Sequence, residues 1–113
     1  MLLPNANQAI IDPLKLHGYL LSTTHPVGRF KTRFFSALGY AAERWQELEG
    51  DLRAQHLTQP AELSEVMPEG QLFTIRAILK RRNDQSALVL SVWFVPTTNG
   101  VPRFVTAYSG GTA

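Results

Sequence analysis

The sequence predicts an α+β fold, with two to three N-terminal helices packed on one face of a three- to four-stranded antiparallel sheet. In the first half of the chain, apolar residues recur at helical spacing, as in the series Phe30, Phe34 and Leu38. From about residue 60 the apolar period changes to two, the period of a strand with one buried face. Helices that precede a run of strands favour an antiparallel meander covered on one face.

Three helices are predicted in the first half. The first covers about residues 12–21 and begins with an Asp-Pro pair, because aspartate caps helix N-termini and proline suits the first turn. The second covers roughly residues 26–38 and ends at Gly39, which suits a left-handed C-terminal position. The third extends from about residue 41 to residue 59, where Gln-Pro ends it.

Three strands follow, at residues 72–79, 87–95 and 102–108, with a fourth at 61–67. Alternation assigns their side chains to two faces. The predicted core face carries Phe73, Ile75, Ala77, Leu79, Leu88, Leu90, Val92 and Phe94, and the helices add Phe30, Phe34, Leu38, Trp45 and Leu48. The predicted outer face carries Arg76, Ser91, Trp93, Thr106 and Tyr108. Such a mixture suits base stacking and phosphate binding, although Thr, Tyr and Trp are also common on ordinary exposed sheet surfaces.

Composition sets the broad class of protein. The chain has 113 residues, 44% of them apolar and 18% charged, which predicts a single globular domain over residues 1–113. It has no cysteine, no long apolar run and no secretory-signal pattern, so we expect a cytoplasmic protein without a membrane partner. It also lacks phosphate-loop motifs and histidine pairs at metal-ligand spacing, so no metal and no cofactor are expected.

The charges are segregated along the chain. The net charge is +2, yet seven of the nine acidic residues lie between residues 43 and 69. The basic residues cluster at 29–33, at 76–82 and at Arg103. If these clusters converge in space, they form a positive face suited to a polyanion. A mildly dipolar solvated surface is the alternative.

The densest group of reactive side chains lies at residues 25–33. One imidazole, one ammonium and two guanidiniums occur there, where the second helix begins. These groups suit phosphate binding and proton transfer near neutral pH. For His25 the alternatives are helix capping or loop anchoring, and for Lys31 and Arg33 they are ordinary solvated positions. We expect His25 and Lys31 to share a pocket that Thr106 or Tyr108 also lines. His17 and His56 are interpreted as structural.

The chain resembles a bacterial domain family of unassigned function, found alone and at the C-termini of large secreted toxins. The pattern comprises Leu3-Pro4-Asn5-Ala6 with Ile11-Asp12, His25-Pro26-x-Gly28-x-x-Lys31 with Phe35 and Leu38-Gly39, Trp93, and Pro102-Arg103-x-Val105-Thr106-x-Tyr108. It departs from the family at Glu69-Gly70, where members often carry Tyr-Gly. The order of helices and strands is similar to that of the RelE-like and barnase-like ribonuclease toxins.

The leading hypothesis, motivated by the expected convergence of the cluster at residues 25–33 with the polar sheet face, is a small metal-independent ribonuclease of the toxin type that promotes attack of the RNA 2′-OH on the adjacent phosphate. His25 is then the base or the acid, Lys31 and Arg76 bind the phosphate, and Thr106 and Tyr108 position it. Trp93 would stack a base, and Arg33 and Arg103 would add substrate-binding charge. The expected partners are RNA, with tRNA and mRNA both candidates, and a cognate antitoxin or immunity protein.

Two other functions are compatible with the same residues. One is a non-enzymatic partner-binding module, such as an immunity protein, an antitoxin or an adaptor. The other is a nucleic-acid-binding domain without catalysis, whose binding would weaken steeply with salt.

Overall fold

The computed structural model describes residues 1–26 and 28–110, apart from the side chain of Phe30. It has an α+β fold in which the helices precede an antiparallel sheet, as predicted. The predicted burial of Phe30 lies outside the described side chains.

The helices are short and two of them change geometry along their length. Helix α1 (Pro13–Lys15) continues as a π-helical turn, Leu16–Leu20. Helix α2 covers Arg29–Ala37. Helix α3 (Trp45–Asp51) likewise continues as a π-helical turn, Leu52–His56. Single 3-10 turns occupy Ala6–Gln8 and Ala42–Arg44.

The helix ends agree with the capping signals in the sequence. Asp12 accepts a hydrogen bond from the backbone N–H of Leu14 at 3.0 Å, which caps α1. Gly39 has φ +97°, a left-handed conformation that glycine adopts without a Cβ penalty. It therefore ends α2 as predicted.

The sheet is a four-stranded meander in the order β1-β2-β3-β4. Strand β1 covers Glu62–Met67, β2 covers Gly70–Lys80, β3 covers Ser86–Pro96 and β4 covers Arg103–Ser109. All neighbouring pairs are antiparallel. The N-terminal segment adds a parallel bridge between Ile10 and Arg103 at the free edge of β4.

The helices cover one face of this sheet and enclose the core. Of the predicted core residues, Leu38, Leu48, Phe73, Ile75 and Leu79 are buried. The core also contains Leu16, Leu20, Phe35 and Leu52, which were not among the predicted core residues. Phe34 and Trp45 are partly buried and pack against it.

The prediction for the faces of β3 is wrong. Residues directly opposite each other in an antiparallel pair share a face, and Phe73 pairs with Trp93 while Ile75 pairs with Ser91. The core therefore contains the odd-numbered residues of β3, and Leu90, Val92 and Phe94 lie on the outer face, half-exposed. Both faces of β3 are apolar in sequence, so alternation alone could not decide between them.

A polar chain crosses the core at this point. His56 and Trp93 are both fully buried. Trp93 Nε1 donates to Ser91 Oγ at 2.8 Å, and Ser91 Oγ lies 2.7 Å from His56 Nδ1. The other imidazole nitrogen lies 3.2 Å from the carbonyl of Ala77, which can only accept, so Nε2 carries the proton and Nδ1 accepts from Ser91. Burial lowers the pKa of His56 to about 4.

Arg81 anchors the turn between β2 and β3 to helix α3. Its guanidinium donates to Glu47 at 2.7 Å and to Asp51 at 3.3 Å, and it stacks 4.1 Å from the centre of the Tyr40 ring. The hydrogen bond from Arg81 lowers the pKa of Glu47, and burial raises that of Tyr40. Arg81 is therefore engaged inside the protein and does not contribute to a surface for a polyanion.

Candidate functional site: a pocket around Lys31

The loop before α2 is held by local hydrogen bonds. Ser22 Oγ accepts from the backbone N–H groups of Thr24 and His25 at 3.2 and 3.1 Å. His25 Nδ1 in turn accepts from the backbone N–H of Gly28 at 2.9 Å. His25 therefore caps the first turn of α2, the alternative role that the sequence left open for it.

This hydrogen bond fixes the tautomer of His25. Because Nδ1 accepts a hydrogen bond from the backbone N–H of Gly28, the proton of the neutral ring is on Nε2. The ring packs edge-on against Tyr19, with the two centres 4.8 Å apart. Nε2–H is consequently a hydrogen-bond donor, and Nδ1 is not available as a base while the cap is intact.

Gly28 lets α2 begin in contact with the π-helical turn before it. A Cβ at this position would overlap the backbone carbonyl oxygen of Tyr19. Thr32, one turn further on, donates through Oγ1 to the same turn, at 2.9 Å from the Leu20 carbonyl and 2.6 Å from that of Ser22. Together these contacts fix α2 against Tyr19.

Lys31 extends from α2 toward strand β4. Its Nζ donates to Thr106 Oγ1 at 2.9 Å and to the Tyr19 hydroxyl at 3.2 Å. The ammonium also lies 5.2 Å from the centre of the Tyr19 ring and 5.8 Å from that of Tyr108, within cation–π range of both. One cation thus connects the first helical segment, the second helix and the last strand.

These groups surround an open pocket of about 510 Å³, which we call the Lys31 pocket. It is lined by Asp12, Leu14, Lys15, Gly18, Tyr19, His25, Lys31, Val105 and Thr106. Lys15 is fixed in the wall because its Nζ donates to the Val105 carbonyl at 3.3 Å. Among the described residues that line it, Asp12 is the one carboxylate. Two ammonium groups, a phenol, an imidazole N–H and a hydroxyl form a pocket suited to an oxyanion that also exchanges protons.

The family described as a domain of unknown function, DUF6883, matches residues 2–111. The chain belongs to the DUF6883 family. No curated protein and no solved structure matches it. All the residues that line the Lys31 pocket lie within the matched DUF6883 region.

In this DUF6883 domain, His25, Lys31 and Thr106 meet as the sequence predicted. The geometric prediction of one shared pocket is confirmed, whereas the chemical roles of the three residues stay predictions. Tyr108 is 40% exposed and lies beside the Lys31 ammonium, outside the set of lining residues.

The other predicted substrate-binding residues lie elsewhere. Arg33 is exposed on α2, and Arg76 is exposed on the outer face of the sheet; neither lines the pocket. Arg103 lines a neighbouring cavity. The prediction that Trp93 stacks a base on the outer face is wrong, because its ring is buried against Phe104 with the centres 5.2 Å apart.

Sequence reasoning missed Tyr19, Asp12 and Lys15 as site residues. Asp12 was visible as a helix cap, a role that it also has. Tyr19 precedes Lys31 by twelve residues in a different helical segment, so no local spacing linked the two. The π-helical turn that places Tyr19 has no signature in the sequence.

Across residues 1–26 and 28–110, no group of three or more His, Asp or Glu side chains is arranged to hold a metal ion. Within the same part of the chain, every helix is too short or too polar to cross a membrane.

Proposed function

We propose that this DUF6883 domain is a metal-independent endoribonuclease of the bacterial toxin type, and that the Lys31 pocket binds the scissile phosphate. The observation that carries the proposal is the position of Lys31 Nζ, 2.9 Å from Thr106 and 3.2 Å from Tyr19, in a pocket shared with His25 and Asp12. The toxin context rests on the sequence resemblance. The reaction forms the bond between O2′ and phosphorus and breaks the bond between phosphorus and O5′.

Charge stabilisation is the role of Lys31. Negative charge accumulates on the non-bridging oxygens as the five-coordinate phosphorane forms. Thr106 and Tyr19 hold the ammonium in place before the substrate arrives, so little reorganisation is needed during the reaction. His25 lines the same pocket, and the hydrogen bond from Gly28 keeps its ring in one orientation.

Two protons must move, and two groups in the pocket suit them. The Asp12 carboxylate accepts the proton of the attacking 2′-OH. The Tyr19 oxygen accepts from Lys31, so its own hydrogen is directed elsewhere and can pass to the departing O5′. Lys31 then stabilises the phenolate that remains, until water carries the proton from Asp12 to Tyr19 and restores both groups. The products are a 2′,3′-cyclic phosphate and a 5′-hydroxyl.

The test is cleavage of end-labelled RNA by the purified protein in EDTA. We expect cyclic-phosphate products, no cleavage where a 2′-deoxy nucleotide replaces the attacking one, and a loss of at least a hundredfold in kcat for Lys31→Ala. Lys80→Ala is the matched control, because Lys80 is exposed at the end of β2. Intact RNA after prolonged incubation, loss of activity in EDTA, or equal activity of the two lysine variants would each refute the proposal.

The outer face of the sheet favours a second candidate function, that of a partner-binding module. It presents the partly buried side chains of Leu88, Leu90, Val92 and Phe94 together with Ile78, which is 49% exposed. Neighbouring apolar side chains on a surface can mark a protein–protein contact. Expression in a bacterial host separates the two functions: a ribonuclease arrests growth unless Lys31 is replaced, whereas a binding module leaves growth unaffected.

A further inference from the structure

A second cavity adjoins the Lys31 pocket along the edge of β4. It also has a volume of about 510 Å³, and we call it the Arg103 cavity. Its lining consists of Ile10, Asp12, Lys15, Phe94, Arg103, Phe104 and Val105. Asp12, Lys15 and Val105 line both cavities, so the two lie side by side along β4, and we call them together the groove.

The walls of this groove are fixed by backbone hydrogen bonds. The N–H of Ile10 donates to the Pro102 carbonyl at 2.9 Å, and the N–H of Phe104 donates to the Ile10 carbonyl at 2.9 Å. The bond from Lys15 to Val105 holds the position where the cavities meet. Because these contacts belong to the folded backbone, the groove exists before any ligand binds.

Cations are spaced along the groove. Lys31 lies at one end, Lys15 at the junction and Arg103 at the other end. At ~3.3 Å per residue, residues 103 and 106 lie at most about 10 Å apart along β4, because the strand has an irregular register at Val105. This distance is greater than the width of one phosphate group, so the cations can contact neighbouring phosphates of an extended strand.

The Arg103 end also offers surface for a base. Phe94 is partly exposed there and Ile10 is 50% exposed. An aromatic side chain beside a guanidinium is the usual composition of a site that stacks an unpaired base and holds its phosphate. A base in a duplex is stacked and paired already, so it cannot reach Phe94.

We infer that the substrate is single-stranded RNA bound along β4, with the scissile phosphate in the Lys31 pocket and an adjacent nucleotide in the Arg103 cavity. This inference rests on the proposed ribonuclease function and adds the substrate class and a second subsite. It predicts that cleavage depends on a nucleotide that takes no part in the chemistry.

The test measures kcat/KM for a ribodinucleotide and for two trinucleotides, each of which extends the dinucleotide on one side. It also measures kcat/KM for the same dinucleotide sequence within a hairpin stem. We expect one of the two extensions to raise kcat/KM about tenfold, the size of one base–aromatic contact. Arg103→Ala and Phe94→Ala should each remove most of this gain. Arg82→Ala should retain it, because Arg82 is exposed in the turn between β2 and β3. The hairpin stem should be cleaved at least tenfold more slowly.

Failure of this inference can be distinguished from failure of the ribonuclease proposal. Cleavage that ignores substrate length, or that falls equally in Arg103→Ala and Arg82→Ala, refutes the second subsite and leaves the ribonuclease in place. If the protein cleaves nothing, the binding of fluorescent 2′-fluoro oligonucleotides of two lengths tests whether the groove binds single strands. Tighter binding of the longer strand that requires Arg103 then supports the groove without catalysis, and binding that does not require Arg103 refutes it.

Discussion

Lys31 Nζ donates a hydrogen bond to Thr106 Oγ1 at 2.9 Å, although 75 residues separate the two in sequence. The bond joins the second helix to the last strand, so the pocket is complete only when the whole sheet has formed. A shortened chain that lacks β4 would therefore lose the site as well as the strand. Four testable consequences concern Thr106, His25, Gly28 and His56.

Thr106→Val should lower activity more than stability. The substitution keeps the shape of the side chain but removes the hydroxyl that holds the ammonium. We expect a loss of about 0.5–1.5 kcal/mol in the free energy of unfolding and a tenfold or larger loss in kcat. Urea unfolding and RNA cleavage measure the two quantities. A variant with unchanged kcat would show that Thr106 does not position Lys31.

His25 variants should separate capping from chemistry. The side-chain oxygen of asparagine at position 25 can accept the hydrogen bond from Gly28 near the place of Nδ1. Asparagine has no group at the place of Nε2. We expect His25→Asn to retain stability and lose activity, and His25→Ala to lose both, with about 0.5–2 kcal/mol lost from the missing cap. If His25→Asn is fully active, the imidazole is a cap alone.

Gly28→Ala should be strongly disruptive, and Gly50→Ala provides its control. A Cβ at Gly28 overlaps the carbonyl of Tyr19, so we expect a loss of about 1–3 kcal/mol and displacement of the Tyr19 hydroxyl from Lys31. Gly50 lies in α3 with open space around its Cα, so alanine there should stabilise by about 0.5–1 kcal/mol. Thermal unfolding of the two variants should therefore shift in opposite directions.

Stability should fall in mild acid because of His56. Its pKa is about 4 in the folded protein and 6.5 in the unfolded chain, so protons bind preferentially to the unfolded state between these values. The contribution is fully present above pH 6.5 and is lost as the pH falls toward 4. It amounts to about 3 kcal/mol at 1.36 kcal/mol per pKa unit. Urea unfolding from pH 7 to pH 4 should show this slope, and His56→Gln should reduce it.

The sequence predicted the order of helices and strands and the shared pocket of His25 and Lys31, because both depend on local signals. Cap residues, Gly39 and the change of apolar period each determine structure within a few positions. The faces of β3 could not be predicted in this way, because Leu88, Leu90, Val92 and Phe94 alternate with Val89, Trp93 and Val95. Either set is apolar enough to form a core.

The role of Tyr19 depended on long-range geometry. Its hydroxyl reaches Lys31 only because Gly28 permits close contact between two helical segments. The spacing of residues along the sequence does not reveal such a contact. Trp93 was misplaced for the same reason: its partner Ser91 is close in sequence, but His56, which completes the buried chain, is 35 residues away from Ser91.

The buried chain of His56, Ser91 and Trp93 has a consequence for how the sheet selects its register. Strand β3 is apolar on both faces, so burial alone would tolerate a slip of one residue that turns the strand over. Such a slip would turn Ser91 and Trp93 to the outer face and place Leu90 or Val92 opposite His56, so that the imidazole Nδ1 would be buried without a partner. An unpaired buried group of this kind costs about 1–3 kcal/mol. The hydrogen bonds among His56, Ser91 and Trp93 thus favour one register of β3 over the register shifted by one residue.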